Sequence, residues 1–444
     1  MRRGFFLIIL LLGLVILWIG SGRMGQTAGQ SNMRISDYPV GKVTAMTLSA
    51  GQRGLVSRKL ETDEQLVVAV WSDERAGRSN IFAVQSLDDG ATFAPSVRVN
   101  DIPDKAHLYG ATSAIDAQGH VYVVWLDERD GDQDIYFARS ISLGVTGGFT
   151  ASVKVNDDET REPAVDEFGD PEYVEPAAFQ THPMVALGTK GEIYVVWQDY
   201  RRAQADIYFS KSMDGGRTFR RNVKVTDEFG SAGQLYPTLA VSPDGTIVLA
   251  WHDHRKGNAD IFFARSTDGG ESFSRNLMVS DDETKTHQFN PSLAVDAKGH
   301  IYIAWHDLRN NSQPDIYFGK SVDGGKSFGL NIKVSDDSSD AFQFHPSIAV
   351  TSDGTIGVVW EDKRYDNFDI FFSLSRDRGK TFTKNVQIDD DGGSEDQLFP
   401  SLAVSESKRF LVMWSDQRHD TGLLSPCPPV QCSDIYFSAI SIKQ

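Results

Sequence analysis

Seven segments of the chain repeat the pattern Trp-x-Asp-x-Arg: Trp71/Asp73/Arg75, Trp125/Asp127/Arg129, Trp197/Asp199/Arg201, Trp251/Asp253/Arg255, Trp305/Asp307/Arg309, Trp360/Asp362/Arg364 and Trp414/Asp416/Arg418. Successive tryptophans lie 54, 72, 54, 54, 55 and 54 residues apart, and Trp18 alone falls outside the series. The fourth unit shows the common order: Tyr236-Pro-Thr-Leu-Ala-Val, Thr246-Ile-Val-Leu-Ala-Trp, Asp260-Ile-Phe-Phe-Ala-Arg and Asn276-Leu-Met-Val. These are four short β-rich runs separated by turn residues. The second run is apolar on consecutive positions, as in a strand covered on both faces. A period near 54 with four strands per unit fits propeller blades, in which no blade buries both faces alone and radial repetition completes the core. The expected fold is an all-β, seven-bladed β-propeller of four-stranded blades over residues 38–444. The seventh unit supplies three strands, so the strand-like segment Val40-Gly-Lys-Val-Thr-Ala-Met46 is expected to complete the last blade and remove the open edge.

Between the third and fourth strands lies the most specific motif, as in Ser212-Met-Asp-Gly-Gly-Arg-Thr-Phe219 and Ser266-Thr-Asp-Gly-Gly-Glu-Ser-Phe273. Further copies centre on Asp88, Asp323 and Asp377, alongside Asp214 and Asp268. Its chemistry is that of a hairpin turn: the carboxylate accepts loop N–H groups, glycine takes a positive φ, a hydroxyl closes the turn and Phe plugs it. The second unit keeps only Gly148-Phe149. These residues resemble the Asp boxes, or bacterial neuraminidase repeats, of the sialidase superfamily, over a stretch from about residue 40 to the C-terminus. The resemblance implies a propeller with Asp-box turns on the face opposite the ligand. It does not imply an activity, because the boxes are structural and also occur in proteins that are not sialidases.

Arg2 and Arg3 precede an apolar, uncharged run from Gly4 to Gly20. Residues 1–23 therefore read as a signal peptide or an uncleaved membrane anchor, followed by a linker over 24–37, with the propeller exported. The anchor is favoured because no Ala-x-Ala site follows. Cys427 and Cys432 share one loop, 419–433, and are expected to form a local disulfide in an oxidising compartment. With 44 Lys+Arg against 61 Asp+Glu, the net charge of −17 argues against a nucleic-acid partner.

On the expected ligand face three sets of residues stand out. An Asp opening the third strand, such as Asp134 or Asp260, faces the motif Arg across a hairpin and reads as one half of a structural salt bridge. A Gln lies three residues before Pro in five units, and the residue directly before that Pro varies: His182, Tyr236, Asn290, His345 and Phe399. Variation at one position around a ring is where a site becomes specific, so these five are the ligand-binding candidates. The acidic inter-blade loops, above all the insertion at about 157–176 with Asp157, Asp158, Glu159, Asp166 and Asp170, supply hard oxygen ligands suited to Ca²⁺. His252, His254, His287, His306 and His345 gather in units four to six, and His252 and His306 occupy equivalent positions.

A sialidase of the resembled superfamily uses three arginines, a Tyr/Glu nucleophile pair and an Asp acid on six blades. Here the count is seven, its Phe/Tyr-Arg-Ile-Pro motif is missing, and Met33-Arg-Ile-Ser36 is the nearest string. No catalytic residue carries over. Two functional classes remain: a binding or scaffold propeller for glycan or extracellular protein ligands, or a sialidase-like glycoside hydrolase acting on acidic sugars.

Overall fold

Each apolar run ending in a motif tryptophan is the second strand of a sheet, and all seven tryptophans are at most 1 % exposed. Alternate side chains of these strands feed different clusters: Val68 and Val70 pack against blade 2, while Val67, Ala69 and Trp71 pack against blade 7. Burial of both faces explains the uninterrupted apolar pattern. The computed structural model describes residues 32–37, 45–46, 54–75, 78–102, 106–157, 179–202, 204–228, 230, 232–282, 284–310, 313–418 and 433–442. It shows seven antiparallel sheets forming a propeller. Blade 4 is typical, with strands Gln234–Val241, Ile247–Asp253, Asp260–Ser266 and Leu277–Met278 in that order from the channel outward. Among the described residues no helix is long and apolar enough to cross a membrane.

The ring is closed by an N-terminal strand, but by a different one from that expected. Met33–Arg34 pairs with the third strand of blade 7, Met33 opposite Phe437 and Arg34 opposite Tyr436. It lies within the stretch read as a linker, so the propeller begins before residue 38. Of the segment expected to close the ring, Ala45–Met46 pairs instead with Asp73 and Ser72 in blade 1, where it stands as a detached start to the first strand, Leu55–Lys59. The physical reason is length. A fourth strand here needs only two paired residues, so the longer β-rich segment had no advantage there.

Two repeated devices hold neighbouring blades together, the first in all seven blades and the second in five. In the first, each motif Asp accepts the Trp indole N–H at 2.8–3.2 Å and binds the motif Arg at 2.5–2.8 Å. The Arg guanidinium lies 4.0–4.5 Å over an aromatic ring of the third strand. Its other end reaches an Asp at the end of the preceding blade: Asp37, Asp101, Asp157, Asp227, Asp281, Asp336 or Asp390. The expected second carboxylate, the one opening the third strand, serves elsewhere. Asp134, Asp206, Asp315 and Asp434 pair with Lys154, Lys224, Lys333 and Arg34 of the fourth strand. The ion pair thus bridges two blades rather than one hairpin. Two carboxylates with five planar donors make an Arg, not a Lys, the fitting residue.

The second device is the Asp box. In blade 5 Ser321 Oγ donates to Asp323, whose carboxylate accepts the backbone N–H of Lys326 and Ser327 and the hydroxyl of Ser327. These donors hold Asp323 well below the usual carboxylate range, the Ser327 hydroxyl contributing most. The box phenylalanine plugs the preceding blade rather than its own. Phe93, Phe219, Phe273, Phe328 and Phe382 meet Phe437, Phe137, Phe209, Phe263 and Phe318 edge-on at 5.1–5.3 Å. Box glycine Gly325, at φ +78°, lies so close that a Cβ there would fall 2.6 Å from the Phe263 ring. Blade 1 makes the same contact with blade 7, so the seam at closure carries the same box contact as the four seams made by blades 3 to 6.

Candidate functional site

Second strands end, and first strands begin, on the face opposite the Asp boxes. There the first strand of blades 3 to 7 carries a bulge, with a register shift such as that between Thr181 and Met184. The bulge residue is the one before the proline. His182, Tyr236, Asn290, His345 and Phe399 all have φ between 49° and 56°, and Gly110 stands there in blade 2 at φ 66°. Left-handed backbone is sterically disfavoured for a residue with a Cβ, most of all for bulky ones, and marks a position that the surrounding structure holds. All five candidates thus share one backbone conformation and one ring around the channel mouth.

What holds them is partly the variable x of Trp-x-Asp, the position of His252 and His306, where the sequence did not single out Gln198 and Glu361. Gln198 Oε1 accepts the Tyr236 N–H at 3.1 Å, and Glu361 Oε1 accepts the Phe399 N–H at 2.5 Å. His252 Nδ1 lies 3.5 Å from the Asn290 nitrogen. This position changes from blade to blade between the constant Trp and Asp, which was the signal available. Glu361 is buried and also contacts His345 Nδ1 at 2.9 Å. The regular Gln is scaffold: Gln234, Gln288, Gln343 and Gln397 are fully buried, and each Nε2 donates to a backbone carbonyl two residues back.

The rings form a continuous rim. His182 meets Tyr236 at 4.0 Å, Tyr236 meets His252 at 5.3 Å, and His252 meets Phe289 at 5.2 Å. Phe289 leads to His306 at 5.5 Å, His306 to His345 at 6.2 Å, and His345 to Phe399 at 5.1 Å. The arc runs from blade 3 to blade 7. Asn290 contributes no ring to it, and Phe289 beside it does so instead. His252 and His306 are buried, while His182, Tyr236, Phe289, His345 and Phe399 are half-buried and give the rim its accessible surface. Burial pushes His182 down to about 4, and burial also lowers His252 and His306. Burial first, then His287, lowers His254. At neutral pH these imidazoles are uncharged and act as rings with single donors and acceptors.

No group of three His, Cys, Asp or Glu side chains among the described residues is placed to hold a metal ion. Of the calcium candidates, Asp157 is a latch: its carboxylate binds Arg201 and accepts the Asn222 N–H. Asp158, Glu159, Asp166 and Asp170 lie outside the described residues, as do Cys427, Cys432 and the N-terminal apolar run. Below the rim the channel holds a cavity of about 370 Å³ walled mostly by aliphatic and hydroxyl side chains. Arg58 is its one charged lining residue, so the polar and aromatic chemistry sits at the mouth.

A family model described as a BNR repeat-like domain matches residues 119–412. Among solved structures, the ulvan lyase of polysaccharide lyase family PL25 superposes with a TM-score of 0.57 at 12 % identity, covering 93 % of this chain and 95 % of that one. Polysaccharide lyase Uly1 gives a TM-score of 0.55 at 11 % identity, covering 89 % and 91 %. A protein of unknown function from Dyadobacter fermentans gives 0.52 at 14 % identity, covering 78 % and 97 %. At these identities the likeness is one of fold. No curated protein sequence matches the chain.

Proposed function

The chain belongs to the BNR repeat-like domain family, and from that membership and the rim at its channel mouth we propose that it is an extracytoplasmic binding propeller for glycans. The observation that carries this reading is the arc from His182 to Phe399. Sugar rings present apolar C–H faces and hydroxyl edges, and a rim of half-buried aromatic faces with the uncharged imidazoles of His182, His252 and His306 matches both. His182, Tyr236, His345 and Phe399 are each fixed by a strained backbone position, so little ordering accompanies binding.

Hydrolysis is less well supported. All seven motif arginines are engaged in latches, so none of them is left to grip a substrate carboxylate in the manner of a sialidase. A two-carboxylate mechanism needs an acid and a base flanking the bond. Glu361 is already engaged with Phe399 and His345. The PL25 ulvan lyase has been crystallised with -[GlcA(1-4)Rha3S]-, which makes uronate-containing oligosaccharides the first probes to try.

The test is a glycan array with the purified chain, followed by calorimetry and a turnover assay on any hit. Saturable binding without turnover, lost in Phe399→Ala, is expected. Turnover of the bound glycan would replace the reading by an enzymatic one, and absence of binding to any glycan would remove it.

A further inference from the structure

The Asp-box face differs from the cup face in both polarity and charge. At the tips of its turns Leu87, Ile141, Met213 and Val322 are 43–66 % exposed, and Leu143 beside Ile141 is 51 % exposed. Isolated exposed apolar residues are ordinary, but here the same turn position is apolar in four blades, all pointing off one face. Around the same turns in blades 3 to 6 stand exposed Arg217, Arg220, Arg221, Arg275, Lys326 and Lys380. The box carboxylates Asp214, Asp268, Asp323 and Asp377 keep their charge, held by hydroxyl and backbone donors, and Glu271 pairs with Lys211, so at these turns the six exposed cations outnumber the four box acids. The inter-blade acids Asp227, Asp281, Asp336 and Asp390 lie on the other side of the disc with the latches. Against a net charge of −17 for the chain, the box turns of blades 3 to 6 thus carry an excess of exposed cations beside apolar tips.

The direction of the closing strand adds an independent constraint. Met33–Arg34 runs antiparallel to the third strand of blade 7, as every fourth strand does, and so proceeds from the Asp-box side toward the cup side. The polypeptide therefore enters the propeller from the Asp-box side. Eleven residues, Ser21 to Ser31, separate Asn32 from the uncharged run Gly4–Gly20, and even fully extended they reach no more than about 40 Å.

We propose that the Asp-box face docks on an anionic lipid bilayer, with the apolar turn tips at the headgroup boundary, the basic residues over the phosphates, and the glycan cup turned away from the membrane. Basic residues near an anionic leaflet and apolar side chains at the boundary reinforce each other. Anchoring by the N-terminal run alone requires none of these surface features.

The full chain, reconstituted in vesicles of phosphatidylcholine and phosphatidylglycerol that carry a headgroup nitroxide, tests this. Fluorophores are attached at Val322→Cys on the Asp-box face and at Lys363→Cys on the cup face, with the wild-type chain labelled in parallel as background. Strong quenching at position 322 and none at 363 is expected. That quenching should be lost in high salt, in vesicles of phosphatidylcholine alone, and in the combined variant Arg217→Glu/Arg221→Glu/Lys326→Glu/Lys380→Glu. The salt arm decides the matter if that variant does not fold. A chain that still sediments with vesicles but shows no quenching at 322, or shows it at 363, overturns the docking and leaves a bare anchor. Neither outcome bears on glycan binding.

Discussion

The latches and the cup rim are generated by the same sevenfold operation, yet one ring keeps its side chains and the other keeps only its backbone. At the latch every blade has Trp, Asp and Arg, because the Asp is buried and each of its oxygens serves a named donor. At the rim every blade from 3 to 7 has the same left-handed bulge, but its side chain is His, Tyr, Asn, His or Phe. A closed ring tolerates no weak seam, so the interface between blades is held constant. The channel mouth is held through the backbone of its bulges, partly by Gln198 and Glu361, and the bulge side chains are free to take on recognition.

Breaking a latch should have the largest effect. In Asp307→Ala the Trp305 indole N–H loses its acceptor and Arg309 its innermost carboxylate, both in the buried seam. Removing one partner of a buried pair costs about 3–5 kcal/mol. Denaturant titration should show that loss, whereas the glycan affinity of the folded fraction stays at the wild-type value.

Acid should come next, and it acts on the rim. His182 has its pKa pushed by burial to about 4, below the ordinary value of 6.5 for an unfolded chain. A depressed histidine pKa means that the unfolded state binds the extra proton. The stabilisation is therefore complete above pH 6.5 and is lost as the pH falls toward 4. Over that window the shift corresponds to about 3 kcal/mol at most. Asp389 works in the opposite sense: burial first, then neighbouring Asp369, push it up to about 7, so its protonated form stabilises the acid side. The informative quantity is the difference in slope between wild type and His182→Phe, with stability measured at steps from pH 7.5 to 4.5. The variant should lose stability less steeply on acidification, and an unchanged slope would mean that His182 is not held neutral.

Much of this was legible, and the parts that were not have a common cause. Seven blades, four strands each and the box turns followed from spacing, since a strand buried on both faces must be apolar on consecutive positions. The five bulge residues were visible as variation at one register position, although their left-handed backbone was not, because none of them is glycine. The closing strand was misplaced for want of one comparison. Asn32-Met-Arg-Ile-Ser-Asp37 matches Asn331-Ile-Lys-Val-Ser-Asp336 position by position, including the Asn whose backbone N–H caps the preceding Asp and the Asp that binds the next Arg. Judged by β propensity, Val40–Met46 looked stronger. A two-residue strand carries little propensity, and its identity lies in the polar residues flanking it. The pairing of the inter-blade acids with arginine was hidden in the same way, because the partner stands 28 residues away in most blades, 38 at Asp37 and 44 at Asp157, in the next blade.

A turn glycine and a rim residue then offer a matched pair of small effects with different readouts. Gly325→Ala places a Cβ at φ +78° and 2.6 Å from the Phe263 ring, and should cost about 1–3 kcal/mol without touching binding. Tyr236→Gly is the reverse experiment, since it relieves a left-handed residue at φ 55° and removes a ring that stacks on His182 and His252. Relief of the backbone is worth up to about 1 kcal/mol, and the lost aromatic contacts about as much, so stability should stay within about 1 kcal/mol of wild type. Binding should be the property that disappears, because the bulge survives on its backbone hydrogen bonds while the rim is interrupted in blade 4. A Tyr236→Gly protein that unfolds readily would place this ring among the structural devices rather than the recognition surface. Retention of full glycan affinity in the same protein would move the binding site off the arc altogether.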